Sequence, residues 1–244
     1  MRDTLSAERT LTHIRTITGI TAMSELGLIR LMQALDSLFP IGAFTLSNGM
    51  ETYTVKEIVK DKESLDKFLS AFMYMLPSND LGFAAKAVAG ENIAVLDELC
   101  TASKSPFELR NGSTKLCARF IKAENALGKC YSLDKYSEMI AEGICVGHHS
   151  IAVGLFISDT GADITTGLEM YCYSLLSSMV NHAVKLVPLR QLDGQASLSA
   201  AMKNIPCAVK KALDVSLDEL GISCPGFDLR SMEHERLYSR IYIS

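Results

Sequence analysis

Apolar residues recur at helical spacing along most of this chain of 244 residues. The longest such stretch covers residues 163–186, and another clear one covers residues 64–76. Alternation between apolar and polar residues, which marks a half-buried strand, forms no convincing run. Because repeats of three and four residues place side chains on one face of a helix, the pattern predicts an all-α fold. We expect a single compact domain of about ten helices.

The balance of apolar and charged residues permits a large core and argues against several classes of partner. Hydrophobic residues make up 48% of the chain and charged residues 21%, which is ordinary for a globular protein. The formal net charge is −4, so the chain lacks the positive field that nucleic acid requires. No apolar stretch is long enough to span a membrane, and the N-terminus lacks the apolar segment of a signal peptide. We therefore expect a cytoplasmic protein with no nucleic-acid or membrane partner.

The helical pattern divides the chain into two parts. Residues 1–23 are rich in threonine and show little periodicity, so they are expected to form a flexible N-terminal tail. Residues 24–244 are expected to form the helical domain. Ser105 is predicted as an N-cap, with Glu108 reaching back to the cap N–H. After a first helix that starts near Ser24, the predicted helices cover residues 64–76, 80–89, 91–102, 106–126, 133–142, 148–159, 163–186, 197–203, 207–213 and 229–242.

Two segments containing Gly and Pro interrupt the helices, at residues 36–51 and 186–195. Neither contains a nucleophile beside a base or a metal-ligand spacing. Phe39 and Phe44 bracket the turn of the first segment, either as plugs in the core or as contacts on a docking surface, and both can hold. The polar residues around Gly194 are expected to lie in a tight bend, where their side chains satisfy local backbone groups.

Cys145, His148 and His149 are the candidates for a metal site. The cysteine precedes the histidines by three and four residues, which is a workable ligand spacing on a helix. Adjacent histidines on a helix diverge by about 100°, so one regular helix cannot direct both imidazoles to one ion. A site shared across a two-fold axis stays open, as does a polar helix start without metal. The seven cysteines form no Cys-x-x-Cys pair and are expected to be reduced thiols.

The predicted C-terminal helix carries an aromatic stripe. His234, Tyr238 and Tyr242 fall at positions i, i+4 and i+8, which places them on one face of a helix. Such a stripe at a chain end suits an intermolecular groove, although it could equally pack back on its own domain. Arg240 could pair with a carboxylate, because the guanidinium offers a directional fork of donors.

Three motifs, in this order along the chain, resemble those of the UreF urease accessory proteins. The first comprises Asp36-Ser37, Phe39-Pro40-Ile41-Gly42-Ala43-Phe44 and Ser47-Asn48-Gly49-Met50-Glu51. The second is residues 186–195, and the third comprises His234-Glu235, Leu237, Arg240-Ile241-Tyr242 and Ser244. Gly147-His148-His149 also resembles the family's entry to the following helix. The chain departs from the family pattern at Leu46, where His is frequent, at Arg190, where Gly is usual, and at Leu192, where Thr is usual.

The resemblance implies a helical, dimeric protein without catalysis and without a cofactor of its own. Members of the family bridge UreD, also called UreH, and the GTPase UreG, and they dock on apo-urease to assist nickel insertion. They are described as modulators of the GTPase cycle and of metallation fidelity, with nickel handled by the complex. The resemblance places partner or dimer contacts on Phe39, Pro40, Gly42, Phe44, Ser47, Gly49, Glu51, Arg190, Gln191, Asp193, Gly194, Gln195, His234, Tyr238 and Arg240.

Two other classes of function stay open. The chain could be a metallochaperone that binds nickel directly through Cys145, His148 and His149. It could also be a helical enzyme, although the sequence offers no catalytic constellation to support one. Direct calorimetry with nickel distinguishes the metallochaperone from an assembly protein, because only the metallochaperone would bind nickel tightly by itself.

Overall fold

The computed structural model describes residues 26–222 and 224–243, and these residues form helices and no strand. The all-α, single-domain prediction is confirmed, whereas the expected N-terminal tail lies outside the described residues. Short 3-10 helices occur at Ala43–Thr45, Leu76–Ser78 and Leu217–Glu219. The α-helices are α1 (26–34), α2 (Met50–Val55), α3 (Lys62–Met75), α4 (Asp80–Val88), α5 (Ile93–Ser103), α6 (Phe107–Leu127), α7 (Tyr131–Ala141), α8 (His149–Thr160), α9 (Ile164–Leu186), α10 (Gln191–Met202), α11 (Ile205–Asp214) and α12 (Pro225–His234).

Helix α8 lies at the centre of the core. Residues 150–157 are all buried, because this helix is apolar on every side and α4, α6 and α7 pack around it. Gly154 faces α4 so closely that a Cβ there would lie 2.4 Å from the carbonyl oxygen of Ala84. A glycine therefore sets the spacing between α4 and α8. In the part of the chain that the structure describes, no helix has both the length and the apolar content needed to cross a membrane.

Most predicted helices are confirmed within a few residues, but the predicted cap of α6 is wrong. Pro106, not Ser105, is the N-cap of α6, and no side chain caps this helix. The carboxylate of Glu108 does not reach back to the cap, because it pairs with His234 and Arg240 instead. The capping box of Ser216 and Glu219 is present.

The second interrupted segment is shorter than the sequence predicted. Only residues 187–190 lie between helices, because α10 begins at Gln191 and not at residue 197. The side chain of Arg190 donates two hydrogen bonds of 2.9 Å to Asp193 at this helix start. Gly194 fits against Val184 of α9, where a Cβ would lie 2.5 Å from a methyl carbon. The expected tight bend around Gly194 is therefore wrong, and the polar residues lie on the first turns of α10.

Candidate functional site

The first interrupted segment and the C-terminus meet in space, although they lie about 190 residues apart along the chain. The backbone N–H of Ile241 donates to Glu51 Oε1 at 2.7 Å, and that of Tyr242 donates to Oε2 at 3.1 Å. The N–H of Ile243 donates to the carbonyl of Thr45 at 2.9 Å. The first segment thus binds the N–H groups of three consecutive residues, 241–243, and two of these bonds go to the buried carboxylate of Glu51.

His234, at the end of α12, lies between two carboxylates and is completely buried. Its Nε2 is 3.0 Å from Glu51 Oε2, and its Nδ1 is 2.6 Å from Glu108 Oε2. Each ring nitrogen therefore faces one carboxylate oxygen, and a ring must carry both N–H groups to donate to two acceptors. Arg240 donates to the other oxygen of Glu108 at 2.7 Å. Glu51, His234, Glu108 and Arg240 therefore form one network in which acidic and basic side chains alternate.

Burial and hydrogen bonding have opposite effects on the pKa of Glu51. Burial raises the pKa of the carboxyl group, because the charged form loses contact with water. Hydrogen bonds from Ile241, His234 and Tyr242 stabilise the carboxylate and outweigh burial, so the pKa lies below its usual range. Glu51 is therefore ionised at neutral pH, with the ring of His234 beside it at 3.0 Å.

The predicted C-terminal helix over residues 229–242 is wrong in its second half. Helix α12 ends at His234, and residues 235–243, the C-terminal tail, have no helical structure. Tyr238 is fully exposed, whereas Tyr242 is buried with its ring 4.9 Å from that of His182. The aromatic stripe does not form, because the backbone after His234 is not helical and Glu51 holds the N–H groups of Ile241 and Tyr242.

Glycine permits the close contact between the first segment and α12. Gly49 has a φ of 82°, a conformation that favours glycine, and it precedes α2 directly. A Cβ at this position would lie 2.7 Å from Ser231 Oγ on α12. Gly42 has a φ of 78°, and a Cβ there would lie 2.5 Å from the guanidinium of Arg119. At both positions of the first motif, therefore, a side chain larger than that of glycine would clash with a neighbour.

The two aromatic residues of the first segment have different environments. Phe39 is buried and packs edge-to-face on Phe120, with ring centroids 5.9 Å apart, so it belongs to the core. Phe44 keeps 59% of its surface exposed, so it remains available to a partner. The docking interpretation therefore survives for Phe44 and for exposed Pro40, whereas Phe39 could act only by positioning the segment.

The residues with expected interface roles thus fall into buried and exposed groups. The buried group holds the first segment, α10 and α12 in place, and it comprises Phe39, Ser47, Gly49, Glu51, Gly194 and His234. The exposed group could touch a partner directly, and it comprises Pro40, Phe44, Arg190, Gln191, Gln195, Tyr238 and Arg240. Gly42 and Asp193 are partly buried.

A cavity of about 120 Å³ lies beneath α12, next to the network. Its polar lining includes an ion pair of 2.8 Å between Lys104 and Asp80, together with Ser231 of α12. His149 also lines the cavity, and its Nε2 is buried without a hydrogen-bond partner. An unpartnered polar group in an internal space is suited to bind water, so the cavity under α12 combines apolar walls with a polar group that water could satisfy.

The candidate metal ligands do not converge. Residues 145–148 are not helical, so the helical ligand spacing of Cys145 with His148 and His149 is wrong. The ring of His148 lies 2.8 Å from the Thr101 hydroxyl and 3.1 Å from the Ser113 hydroxyl, so both nitrogens are occupied. Burial raises the pKa of Cys145 to about 11, which disfavours the metal-binding thiolate. Across residues 26–222 and 224–243, no three His, Cys, Asp or Glu side chains form a metal-binding group.

Asp97 explains why residues 145–148 leave the helical path. This buried carboxylate accepts hydrogen bonds from the Tyr136 hydroxyl at 2.5 Å and from the backbone N–H groups of Val146 and Gly147. The Tyr136 hydroxyl in turn accepts the N–H of His148 at 2.8 Å. Sequence analysis missed Asp97, as it missed the pairing of Glu108 and the contact of His182. A polar residue on the apolar face of a helix was the available signal for Asp97 and His182.

Because several histidines are buried, we expect the free energy of unfolding to fall in mild acid. Burial lowers the pKa of His148, His149 and His182 to about 4 each. Between about pH 6.5 and 4, the unfolded chain therefore binds protons that the folded chain excludes. Above about pH 6.5 the contribution of these neutral histidines to the free energy of unfolding should be fully present. Below about pH 6.5 the free energy of unfolding should fall by at most about 1.4 kcal/mol per pH unit for each histidine.

Urea denaturation at pH 7.5 and at pH 5.5 measures this effect. The His182→Phe variant keeps an aromatic ring against Tyr242 but cannot titrate, so its stability should depend less steeply on pH than that of the unchanged chain. Equal free energies of unfolding at both pH values would contradict neutral, buried histidines.

Comparisons with known proteins agree on one family. A family model described as UreF matches residues 59–202. The chain is 33% identical over 229 residues to the urease accessory protein UreF of Actinobacillus pleuropneumoniae, which covers 91% of this chain and 100% of that protein. It is 32% identical over 217 residues to that of Arthrobacter sp. (strain FB24), with 88% and 96% covered. Identity to that of Streptococcus thermophilus (strain LMD-9) is 27% over 223 residues, with 88% and 94% covered.

Proposed function

Since the chain belongs to the UreF family of urease accessory proteins, we propose that it bridges UreD, also called UreH, and the GTPase UreG in the cytoplasm. In this role it assists the insertion of nickel into apo-urease. It modulates the GTPase cycle and metallation fidelity by binding, without catalysis of its own. Nickel is the cargo of the complex, and the protein carries no cofactor and acts as a homodimer.

The observation that supports a docking role is the way the C-terminal tail is held. The Glu51–His234–Glu108–Arg240 network fixes the backbone of the tail, while Tyr238, Ile241 and Ile243 point outward. These three side chains are 106%, 76% and 61% exposed. Aromatic and aliphatic anchors on a fixed backbone lose little conformational entropy when a partner covers them. Phe44 is exposed next to Thr45, which binds the end of the tail, so it extends the same surface.

The alternative role as a direct nickel metallochaperone has less support. The imidazole of His148 is fully buried and has hydroxyl partners on both nitrogens. Cys145 is buried as well, and it does not share a helix with the histidines. We expect calorimetry of the isolated protein to find only weak nickel binding. A tight, stoichiometric site that disappears in both Cys145→Ser and His148→Ala would favour the metallochaperone.

Capture of UreD and UreG from the same organism tests the proposed role. The Tyr238→Ala/Ile241→Asp double variant removes two exposed anchors and should leave the fold unchanged within about 0.5 kcal/mol. We expect it to lose UreD or UreG in a pull-down and to activate urease poorly in cells. Tyr74→Ala is the matched control, because Tyr74 is 79% exposed on α3, outside the docking surface. If the double variant captures both partners and activates urease like the control, the tail is not the docking surface.

A further inference from the structure

Two exposed side chains lie at the start of α10, where neither contributes to the core. The side chain of Arg190 is 85% exposed, and Leu192 is 79% exposed. The backbone of Arg190 has a φ of −71° and a ψ of 149°, an extended conformation that does not require a particular side chain. Both residues depart from the family pattern, in which Gly and Thr are usual. The fold therefore leaves both side chains available to a partner.

Asp193 holds the guanidinium of Arg190 in one orientation. Nε and Nη2 of Arg190 donate to the two carboxylate oxygens, each at 2.9 Å. The side chain of Asp193 is only 24% exposed, so the solvent side of the pair consists mainly of the guanidinium. Within residues 26–222 and 224–243, Nη1 of Arg190 donates to no acceptor. A guanidinium that is fixed in this way binds a carboxylate directionally through its free N–H groups.

An apolar strip lies beside this cation. Leu192 and Ala196 are both exposed, and their spacing of four residues places them on one side of α10. A partner that covers Leu192 removes an aliphatic side chain from water, which favours binding. The start of α10 therefore combines a directional cation with an apolar contact, and it fits a surface that carries a carboxylate next to an apolar side chain.

The start of α10 lies within reach of a partner that covers the C-terminal tail. His182 of α9 contacts the ring of Tyr242 and hydrogen-bonds to the backbone of Phe44. One turn of α9 and the short loop after it separate His182 from Arg190, so the two residues are at most about 20 Å apart. An ordinary interface covers about 800 Å² of each partner, which is roughly 30 Å across. One partner can therefore contact both the tail and Arg190.

We propose that the start of α10 binds an acidic segment of the protein that docks on the C-terminal tail, with a carboxylate on Arg190 and an apolar side chain on Leu192. The inference rests on the proposed docking role of the tail. An exposed charge at the rim of an interface mainly speeds association and excludes partners of the wrong charge. The tail anchors therefore provide most of the affinity, whereas Arg190 selects a partner with a matching acidic group.

Association rates of the full-length protein with UreD and with UreG from the same organism test this contact. Arg190→Glu should slow association with the tail-binding partner about 10-fold at low salt, because the new carboxylate repels the acidic segment. The difference should disappear at about 1 M salt, where charges are screened within about 3 Å. Lys135→Glu is the matched control, because it changes the net charge equally at an exposed position of α7. It should leave the association rate unchanged within about 2-fold.

A second variant tests the two departures from the family pattern together. Arg190→Gly/Leu192→Thr introduces the usual family residues and should weaken binding of the same partner about 10-fold, because it removes both the cation and the apolar contact. Since both side chains are exposed, helical content and melting temperature should stay the same.

Two outcomes would overturn the α10 contact while the bridging role stands. One is an Arg190→Glu variant that associates with both partners as fast as the unchanged chain at low salt. The other is a Lys135→Glu variant that is slowed equally, which would mean that net charge and not Arg190 controls the rate. If the unchanged chain binds neither UreD nor UreG, the bridging role is refuted, and the α10 contact is refuted with it.

Discussion

Replacing His234 with alanine should lower the free energy of unfolding by about 3–5 kcal/mol, because it leaves the carboxylates of Glu51 and Glu108 without the ring that both contact. The side chains of Glu51 and Glu108 are 4% and 14% exposed, so water screens them little. The C-terminal tail should detach, since Glu51 would no longer be held as a carboxylate that accepts two backbone N–H groups. Urea denaturation measures the loss, and hydrogen exchange at Ile241 and Tyr242 reports the detachment.

Two further variants show whether charge is the cause. Glu235→Ala changes the next residue, which is exposed, and should shift stability by no more than about 0.5 kcal/mol. Combining His234→Ala with Glu108→Ala should cost less than the sum of the single effects, because the second change removes one of the unpaired carboxylates. Additive costs would indicate that lost packing, not the ionic network, explains the effect of His234→Ala.

Replacing Asp97 with alanine should also cost about 3–5 kcal/mol, because three donors lose one buried acceptor at once. Residues 145–148 should separate from α5, and the thiol of Cys145, now 6% exposed, should react faster with an alkylating reagent. Denaturation measures the energy, and mass spectrometry of the labelled peptide measures the reaction at Cys145.

Glu98→Ala is the matched control for Asp97→Ala, since Glu98 is the next residue of α5 and is exposed. It should change neither stability nor the labelling of Cys145. If Asp97→Ala unfolds more easily while Cys145 stays protected in the folded protein, Asp97 supports the core but does not hold residues 145–148.

The helices that sequence analysis located best are those with long periodic patterns and local signals at their ends. Residues 163–186 were predicted as one helix, and α9 runs over Ile164–Leu186 with the side chain of Asp163 as its cap. These signals lie within a few residues of the structure they specify, so no knowledge of the rest of the fold is needed. The all-α class and the resemblance to UreF rest on the same kind of local information.

Predictions from the spacing of nearby residues were wrong where the segment binds a residue that is distant along the chain. His234, Tyr238 and Tyr242 have helical spacing, yet the helix ends at His234, and Glu51 instead accepts the amides of residues 241 and 242. Similarly, Ser105 and Glu108 have the spacing of a capping box, yet Glu108 forms ion pairs with residues more than 120 positions away. A pattern over four residues contains no information about such partners.

By itself, the sequence determined the helices, the family and the motif residues, because periodicity, caps and motifs act over short distances along the chain. Only the tertiary structure decided that Glu51, Glu108, His234 and Arg240 form one network, which of the motif residues are buried, and that Cys145, His148 and His149 do not converge. Burial and long-range ion pairs depend on how helices pack, and many packings are compatible with the same local pattern.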